Sequence, residues 1–317
     1  MKCRMKKIMS HRVQVLSACL LFSGLLLSGL AVEVSADGNL PTKFTNQGGI
    51  VNTRHNLTQS TIGAGAVNMN PYRNDYGEIC VYCHTPHGAN TVVDLPLWNR
   101  TINANSYITY DTLGTSSLTS IVGQPGINSL ACLSCHDGTL GVDSIINMPG
   151  SDGYSAAQQT VQSDAFLDQW TNSSGPDASV HVGLNGVNEA AGCLACHSTD
   201  AGIVGAGAAD FQAFAIGTVL TDDHPVGIDL PVIGSGTDFN VPTGVGASIL
   251  WYDGDGDNRP DKNEIRFYDT GSGPRVECAS CHDPHGVSAS GFGGTIKASF
   301  LRVTNQGSAV CLTCHVK

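Results

Sequence analysis

Ten cysteines fall into five units of one pattern, in which two cysteines are separated by two residues and followed at once by a histidine. The units are Cys80, Cys83 and His84; Cys132, Cys135 and His136; Cys193, Cys196 and His197; Cys278, Cys281 and His282; and Cys311, Cys314 and His315. Two thiols at this spacing lie on one side of a helical turn, where both can form thioether bonds to the vinyl groups of a haem, and the next imidazole can bind the iron. The pattern therefore predicts five covalently attached c-type haems.

Three other interpretations of paired cysteines fit less well. A structural zinc ion needs four ligands, so the cysteine pairs would combine two by two, and five pairs do not divide in that way. Disulfide bonds have no use for the histidine. A thioredoxin-like redox centre needs a βαβ setting, which the sequence does not indicate. Repetition of the whole unit favours haem.

Five further histidines could supply the second axial ligand of each iron. The chain has 11 histidines, of which His11 lies in an N-terminal leader and five end the CxxCH units. The others are His55, His87, His181, His224 and His285. Methionine, the alternative sixth ligand, occurs beyond the leader only as Met69 and Met148. The matching numbers predict two imidazoles on every iron, although a spare histidine taken singly is more often an ordinary surface or core residue.

Two units are extended by a second histidine, in CVYCHTPHG (80–88) and CASCHDPHG (278–286). A residue three positions after the first histidine cannot reach the opposite face of the same haem, so His87 and His285 must serve other irons. Pro86 and Pro284 restrict the backbone between the histidines. Each extended unit would thus hold two haems close together. The alternative is that the second histidine is an exposed turn residue, and which spare histidine serves which iron stays open.

The stretch DGDGDNRPDKNE, residues 253–264, indicates a calcium site. Its acidic residues follow the spacing of an EF-hand loop. The predicted ligands are Asp253, Asp255, Asp257, the carbonyl of Arg259, Asp261 through a water molecule, and a bidentate Glu264. Asn258 replaces the usual glycine, and asparagine tolerates the left-handed backbone that the turn requires. The alternative is a solvated acidic turn without a metal.

The N-terminus has the features of a secretory signal peptide over residues 1–36. A basic leader precedes an apolar run from Val13 to Leu30, and VSA before Asp37 offers a cleavage site. A retained membrane anchor is the alternative, and LSAC at 16–19 resembles a lipoprotein cleavage box. Ordinary cleavage would discard Cys3 and Cys19, so that every remaining cysteine belongs to a CxxCH unit.

Cleavage would also make the protein more acidic. The full chain has a net charge of −11, and the leader contains five basic residues and one acidic residue, so residues 37–317 carry −15. Such a surface repels nucleic acid and anionic lipid and favours basic partners or cations. We expect no nucleic-acid partner, no membrane span after cleavage, and a secreted protein at an extracellular, periplasmic or outer-surface location.

The elements that position these residues are predicted to be short. The chain has 38 glycines, and the histidines of successive units are 52, 61, 85 and 33 residues apart, without a regular period. Short helices are expected around the CxxCH units, and a small β-hairpin or three-stranded region over about 248–277, around the calcium loop. The predicted fold is mostly irregular coil, one domain over 37–317 whose core is built by haems.

The chain resembles the multihaem cytochromes of the doubled-CxxCH type, in the cytochrome c3-like group. The matching stretches are EICVYCHTPHG with PLWNR (78–100), CLSCHDGTLGVDSI (132–145), DDHPVG (222–227), and DGDGDNRPDKNE through CASCHDPHG (253–286). The resemblance implies an exported electron-transfer protein. In OmcE-like relatives it also implies extracellular filaments, where a histidine of one subunit can bind a haem of the next. This chain has more CxxCH units than those relatives.

These features together predict an electron carrier and not an enzyme. If every iron is bound on both faces, no site is open to a substrate. The expected partners are other redox proteins or extracellular electron acceptors, with copies of the chain itself in a filament as a further option. The first alternative is a multihaem reductase of a small nitrogen oxide, which needs one open haem beside an acid or base. The second is a structural filament protein.

Overall fold

The computed structural model of the chain describes residues 45–57, 78–102, 105–114, 118–138, 140, 145–147, 170–171, 180–181, 216–231, 233, 237–269 and 271–316, with 170–171 and 180–181 as backbone alone. By its internal contacts the chain divides into the units Met1–Ser35 and Ala36–Lys317, and every described residue belongs to the second. The predicted signal peptide lies outside the described residues. So does the third CxxCH unit, formed by Cys193, Cys196 and His197.

The described α-helices are short, and each contains both cysteines of a CxxCH unit. They are α1 (Ile127–His136), α2 (Cys278–Cys281) and α3 (Ala309–Cys314). Single turns of 3-10 helix occur at Ile50–Asn52, Cys80–Tyr82, Tyr110–Leu113, Ala298–Phe300 and Gln306–Ser308. Helices of one or two turns are marginal by themselves, so packing against other segments must hold them in place.

An antiparallel sheet lies in the C-terminal half. Its strands are β3 (Ile228–Asp229), β4 (Gly244–Val245), β5 (Ile249–Trp251), β6 (Arg266–Asp269) and β7 (Pro274–Val276), in the order β3-β7-β6-β5-β4. Leu250 faces Phe267 across β5 and β6, and Ile228 faces Val276 across β3 and β7. A separate two-stranded pair joins β1 (Trp170–Thr171) to β2 (Val180–His181). Three of the five strands fall within 248–277, and the acidic loop 253–264 connects β5 to β6.

Two glycines are required by the geometry of this sheet. A Cβ atom on Gly244 would lie 2.0 Å from the indole of Trp251, its partner in the register of β4 and β5. Gly271, in the turn between β6 and β7, has a φ of +104°, and its N–H bonds to the Asp269 carboxylate at 2.8 Å. Gly244 thus allows β4 and β5 to pair closely, and Gly271 allows the turn into β7, the strand that precedes α2.

Apolar burial among the described residues is divided into small clusters. One cluster contains Val81, Tyr82 and Ile145, and another contains Tyr107, Leu133 and Leu220. Several polar side chains are as deeply buried, among them Asn99, Arg100, Glu277 and Arg302. Buried polar groups are tolerated only with hydrogen-bond partners, so these four mark specific connections between segments.

Candidate functional site

The described CxxCH units each form about one helical turn, which brings the histidine over the first cysteine. The N–H of the histidine bonds to the carbonyl of that cysteine in three units: His84 to Cys80 at 2.7 Å, His282 to Cys278 at 3.1 Å and His315 to Cys311 at 2.8 Å. The second unit occupies the last turn of α1. Both thiols and the imidazole of a unit therefore come from one short, locally determined structure.

The third unit is the exception, because its geometry cannot be compared with that of the other four. Its predicted thioether cysteines, Cys193 and Cys196, and its predicted iron ligand, His197, all lie outside the described residues. The attachment of a haem at this unit stays a prediction that depends on the sequence pattern alone.

Most described histidines present the same ring nitrogen for binding. Their Nδ1 atoms contact oxygens that act as acceptors: His55 with Pro284 O at 2.9 Å, His84 with Pro96 O at 2.7 Å, His224 with Pro225 O at 2.9 Å, His282 with Ser299 O at 2.6 Å and His285 with Asp283 Oδ1 at 3.1 Å. A carbonyl oxygen cannot donate, so Nδ1 carries the proton. Nε2 then has a free lone pair, which is the usual state of a metal-binding histidine.

Two pairs of imidazoles lie close together, with one histidine of each pair belonging to a CxxCH unit. The ring centres of His84 and His285 are 6.1 Å apart with planes 13° from parallel. Those of His55 and His136 are 6.3 Å apart with planes at 83°. Because a metal-bound imidazole nitrogen lies about 2 Å from the metal and its ring centre about 1 Å farther, two rings on opposite sides of one metal have centres about 6 Å apart. The ring separations of both pairs match this distance.

Burial lowers the pKa of two of these histidines. The pKa of His55 is lowered to about 4, chiefly because burial disfavours the charged ring, with His136 and His285 adding to the effect against the Pro284 carbonyl. Burial likewise lowers the pKa of His282. Since only the neutral imidazole can bind a metal, their burial favours ligation.

The four described CxxCH units lie next to one another. The thiols of Cys132 and Cys278 form a hydrogen bond, and α1 packs against α2. The pKa of Cys83 is raised to about 12, first by burial and then by the thiol of Cys135. The pKa of Cys281 is raised to about 12 in the same way, by burial and then by Cys314. The first unit thus lies near the second, the second near the fourth, and the fourth near the fifth.

Three units are held by what we call bracing segments, three residues that pair with the histidine in antiparallel fashion. They are residues 97–99, 300–302 and 238–240 for the first, fourth and fifth units. The middle residue forms a β-bridge with the histidine: Trp98 with His84, Leu301 with His282 and Phe239 with His315. The N–H that follows the histidine bonds to the first residue of the segment: Thr85 to Leu97 at 2.9 Å, Asp283 to Phe300 at 2.9 Å and Val316 to Asp238 at 2.8 Å.

The third residue of each bracing segment fixes the CxxC turn. Its N–H bonds to the second cysteine: Asn99 to Cys83 at 2.8 Å, Arg302 to Cys281 at 2.7 Å and Asn240 to Cys314 at 2.8 Å. Its side chain donates to the carbonyl after the first cysteine: Asn99 to Val81 at 2.7 Å, Arg302 to Ala279 at 2.9 Å and Asn240 to Leu312 at 3.0 Å. Sequence reasoning missed these segments, since LWN, FLR and DFN share no obvious pattern.

A buried carboxylate joins the second and fourth units. Glu277 accepts hydrogen bonds from the N–H of Gly126 at 3.0 and 3.1 Å and from the hydroxyl of Ser129 at the start of α1. It also accepts the N–H of Ser280, whose hydroxyl in turn accepts the N–H of Glu277 at 2.9 Å, so it caps α2. One side chain therefore caps both helices.

The acidic loop brings its first three aspartates together. Ligand oxygens of Asp253, Asp255 and Asp257 lie within 4.8 Å of one another. Asn258 has a φ of +59°, the left-handed geometry expected there. Glu264 is buried and accepts the N–H groups of Gly254 at 2.7 Å and Asp261 at 3.0 Å. The carbonyl of Arg259 accepts the N–H of Asp261 at 2.9 Å. The predicted ligands share one loop, but Glu264 is used to close it.

The other predicted iron ligands within the described residues have different surroundings. Ring contacts within the described part of the chain do not pair His87, His224 or His282 with another histidine. His315 packs against Phe239 with ring centres 4.9 Å apart. The backbone of His181 pairs with Trp170 in the β1–β2 hairpin. Among the described residues, two imidazoles are brought together in the pairs His84/His285 and His55/His136.

Helices long and apolar enough to cross a membrane are not found in the described residues. No protein-family model matches the chain, and no curated protein sequence matches it either.

Proposed function

We propose that the chain is an exported electron carrier with five covalently attached c-type haems, each iron held between two imidazoles. The two facing imidazole pairs, His84/His285 and His55/His136, are the observation on which this proposal rests. Their separation suits one metal between each pair, and each pair contains one histidine of a CxxCH unit. Thiols at Cys80 and Cys311 are exposed and accessible for thioether formation.

The haem irons would supply the one-electron redox chemistry, at low potentials because both ligands are imidazoles. The protein's part is to hold rings such as those of His55, His84 and His285 by their Nδ1 contacts, which leaves Nε2 free to bind a metal. Two imidazoles on one iron would leave no coordination position open to a substrate. The adjacency of the units supports electron movement along the chain from one unit to the next.

Exposed apolar side chains beside the units support the same proposal. Leu97 in a bracing segment is 54% exposed, and Leu312 within the fifth unit is 46% exposed. Burial of these two side chains against another apolar surface would stabilise the protein. Haem faces would provide that surface and enlarge the small apolar clusters.

The proposal is tested on the protein recovered from the growth medium or periplasm. Mass spectrometry should show residues 37–317 plus five haems that survive denaturation. Electron paramagnetic resonance should show low-spin ferric centres, and the reduced protein should not bind carbon monoxide. A protein without covalent haem refutes the proposal. High-spin centres that bind carbon monoxide would instead favour the nitrogen-oxide reductase.

The third unit has its own test within the same experiment. Replacing Cys193 and Cys196 by alanine should remove the mass of one haem and leave the other four attached. The matched control is the double replacement of Cys80 and Cys83, which should also remove one haem. Loss of a haem only in the control would show that the third unit carries none.

The acidity of the chain bears on its partners. A charge of −15 over 37–317 favours basic redox proteins or cationic acceptors. We include in the proposal that some copies assemble into filaments outside the cell. Electron microscopy of the secreted material distinguishes filaments from a soluble monomer. If only dispersed monomers are seen, the filament part of the proposal is wrong.

We also propose that the loop 253–264 binds calcium in a structural role. The clustered oxygens of Asp253, Asp255 and Asp257 support it. Arg302, which braces the fourth unit, donates to the carbonyl of Lys262 in this loop at 2.9 Å. An ordered loop would therefore help to fix the position of the fourth unit.

A further inference from the structure

The two extended units have the same backbone arrangement but differ in charge beside the second histidine. The residue between the histidines is Thr85 in the first unit and Asp283 in the fourth. The third residue of the bracing segment is Asn99 in the first and Arg302 in the fourth. A neutral pair in one unit thus corresponds to an ion pair in the other, where Arg302 Nη1 lies 3.4 Å from Asp283 Oδ2.

Asp283 is directed at the ring of His285. Its Oδ1 accepts the backbone N–H of His285 at 3.0 Å and lies 3.1 Å from Nδ1 of the same residue. The other carboxylate oxygen, Oδ2, faces the guanidinium of Arg302 in the ion pair described above. The carboxylate belongs to a residue that is only 8% exposed, and it is held between the guanidinium of Arg302 and Nδ1 of His285.

The corresponding histidine of the first unit has neutral neighbours. The hydroxyl of Thr85 donates to the carbonyl of His87 at 2.9 Å. The atom nearest to Nδ1 of His87 in the described hydrogen bonds is the amide nitrogen of Asn147, at 3.4 Å. An amide N–H cannot accept a proton from the ring. The difference between the units is therefore electrostatic, at matched positions of a repeated structure.

We infer that Asp283 is a positioning residue that lowers the reduction potential of the iron bound by His285, which the ring pairing assigns to the first unit through His84. A carboxylate at Nδ1–H increases the electron density on Nε2 and makes the imidazole a stronger donor. A stronger donor favours the ferric over the ferrous iron, which lowers the potential. A residue of the fourth unit thus tunes the iron attached to the first. This inference rests on the proposed function.

The test is a spectroscopically monitored redox titration of the haem-loaded protein carrying Asp283→Asn, which keeps the shape and removes the charge. One of the five potentials should move to a more positive value while the other four stay in place. Asp229→Asn is the matched control, because Asp229 forms an ion pair with Arg275 in the sheet, with Nε and Oδ1 at 2.7 Å. It removes the same charge and should move no single potential.

If Asp283→Asn does not load haem, Asp283→Thr decides, since threonine occupies the equivalent position of the first unit. Wild-type titration curves in both fully loaded variants would overturn the inference. An equal shift of several potentials in Asp229→Asn would also overturn it, because net charge would then explain the effect. Failure of the proposed function gives a different result, because the wild-type protein would then show the mass of the chain without haem before any titration.

Discussion

Replacing Glu277 by alanine should loosen the junction between the second and fourth units. The side chain is 1% exposed and accepts bonds from Gly126, Ser129 and Ser280. Its removal leaves the N–H groups of two helix starts and one hydroxyl without their acceptor. None of these donors lies at a freely hydrated surface position, so water replaces the carboxylate imperfectly.

The size of the effect follows from these bonds. A lost N-cap costs about 1 kcal/mol, and a hydrogen bond to a charged group contributes about 1.5–3 kcal/mol. Burial of the carboxylate, which raises the pKa of Glu277, offsets part of the gain. We expect a net loss of about 3 kcal/mol in the free energy of opening α1. Since each 1.4 kcal/mol corresponds to about tenfold, amide exchange there should accelerate about 100-fold.

Hydrogen exchange read by mass spectrometry measures this opening, in the peptide that covers 126–130. The amides of Ser129 and Leu130, which both bond to the carbonyl of Gly126 at 2.9 Å, report on the first turn. Glu78→Ala is the control, because Glu78 also precedes a CxxCH unit but is exposed. Exchange in Glu277→Ala no faster than in this control would refute the role of Glu277 as a shared cap.

Three further predictions concern Glu277, a bracing segment and the acidic loop. Because burial raises the pKa of Glu277, folding favours its protonated form. The stability of wild type relative to Glu277→Gln, measured by hydrogen exchange, should therefore be greatest at acidic pH and decrease as the pH rises through that raised pKa. Asn99→Ala should cost about 2 kcal/mol and lower the thermal midpoint, because the carbonyls of Val81 and Asn147 lose their donor. Calcium should bind to wild type and not to Asp253→Asn in a calorimetric titration, and absence of heat with both proteins would contradict the calcium proposal.

The local geometry of the CxxCH units could be predicted from sequence because it depends on neighbours along the chain. A histidine four residues after a cysteine lies one turn above it in any helix, and the bond from His84 to Cys80 shows that geometry. The acidic loop is similar, since each of its first three aspartates accepts N–H groups two to five residues ahead, as Asp253 does from Gly256 and Asn258. Short-range rules were sufficient in both places.

The partners of these units could not be predicted, because they depend on pairing over long distances. Glu277 and Gly126 are 151 positions apart, and nothing near Glu277 in the sequence indicates a second helix start. The bracing segments are hidden for another reason. Leu97 and Phe300 have φ values of +52° and +57°, a conformation in which residues other than glycine and asparagine are uncommon. No sequence signal predicts it at a leucine or a phenylalanine.

The bracing segments also explain why the same nine-residue unit can occur twice with different consequences. Backbone bonds to the segment set the direction of the first histidine, whatever side chains the segment carries. The position between the two histidines is thereby free to vary, and it holds Thr85 in one unit and Asp283 in the other. Geometry and electrostatics are thus determined by different atoms. If the proposed function holds, a chain that repeats the backbone arrangement while exchanging one side chain would place similar ligand pairs at different potentials, and this difference would give electron movement a direction.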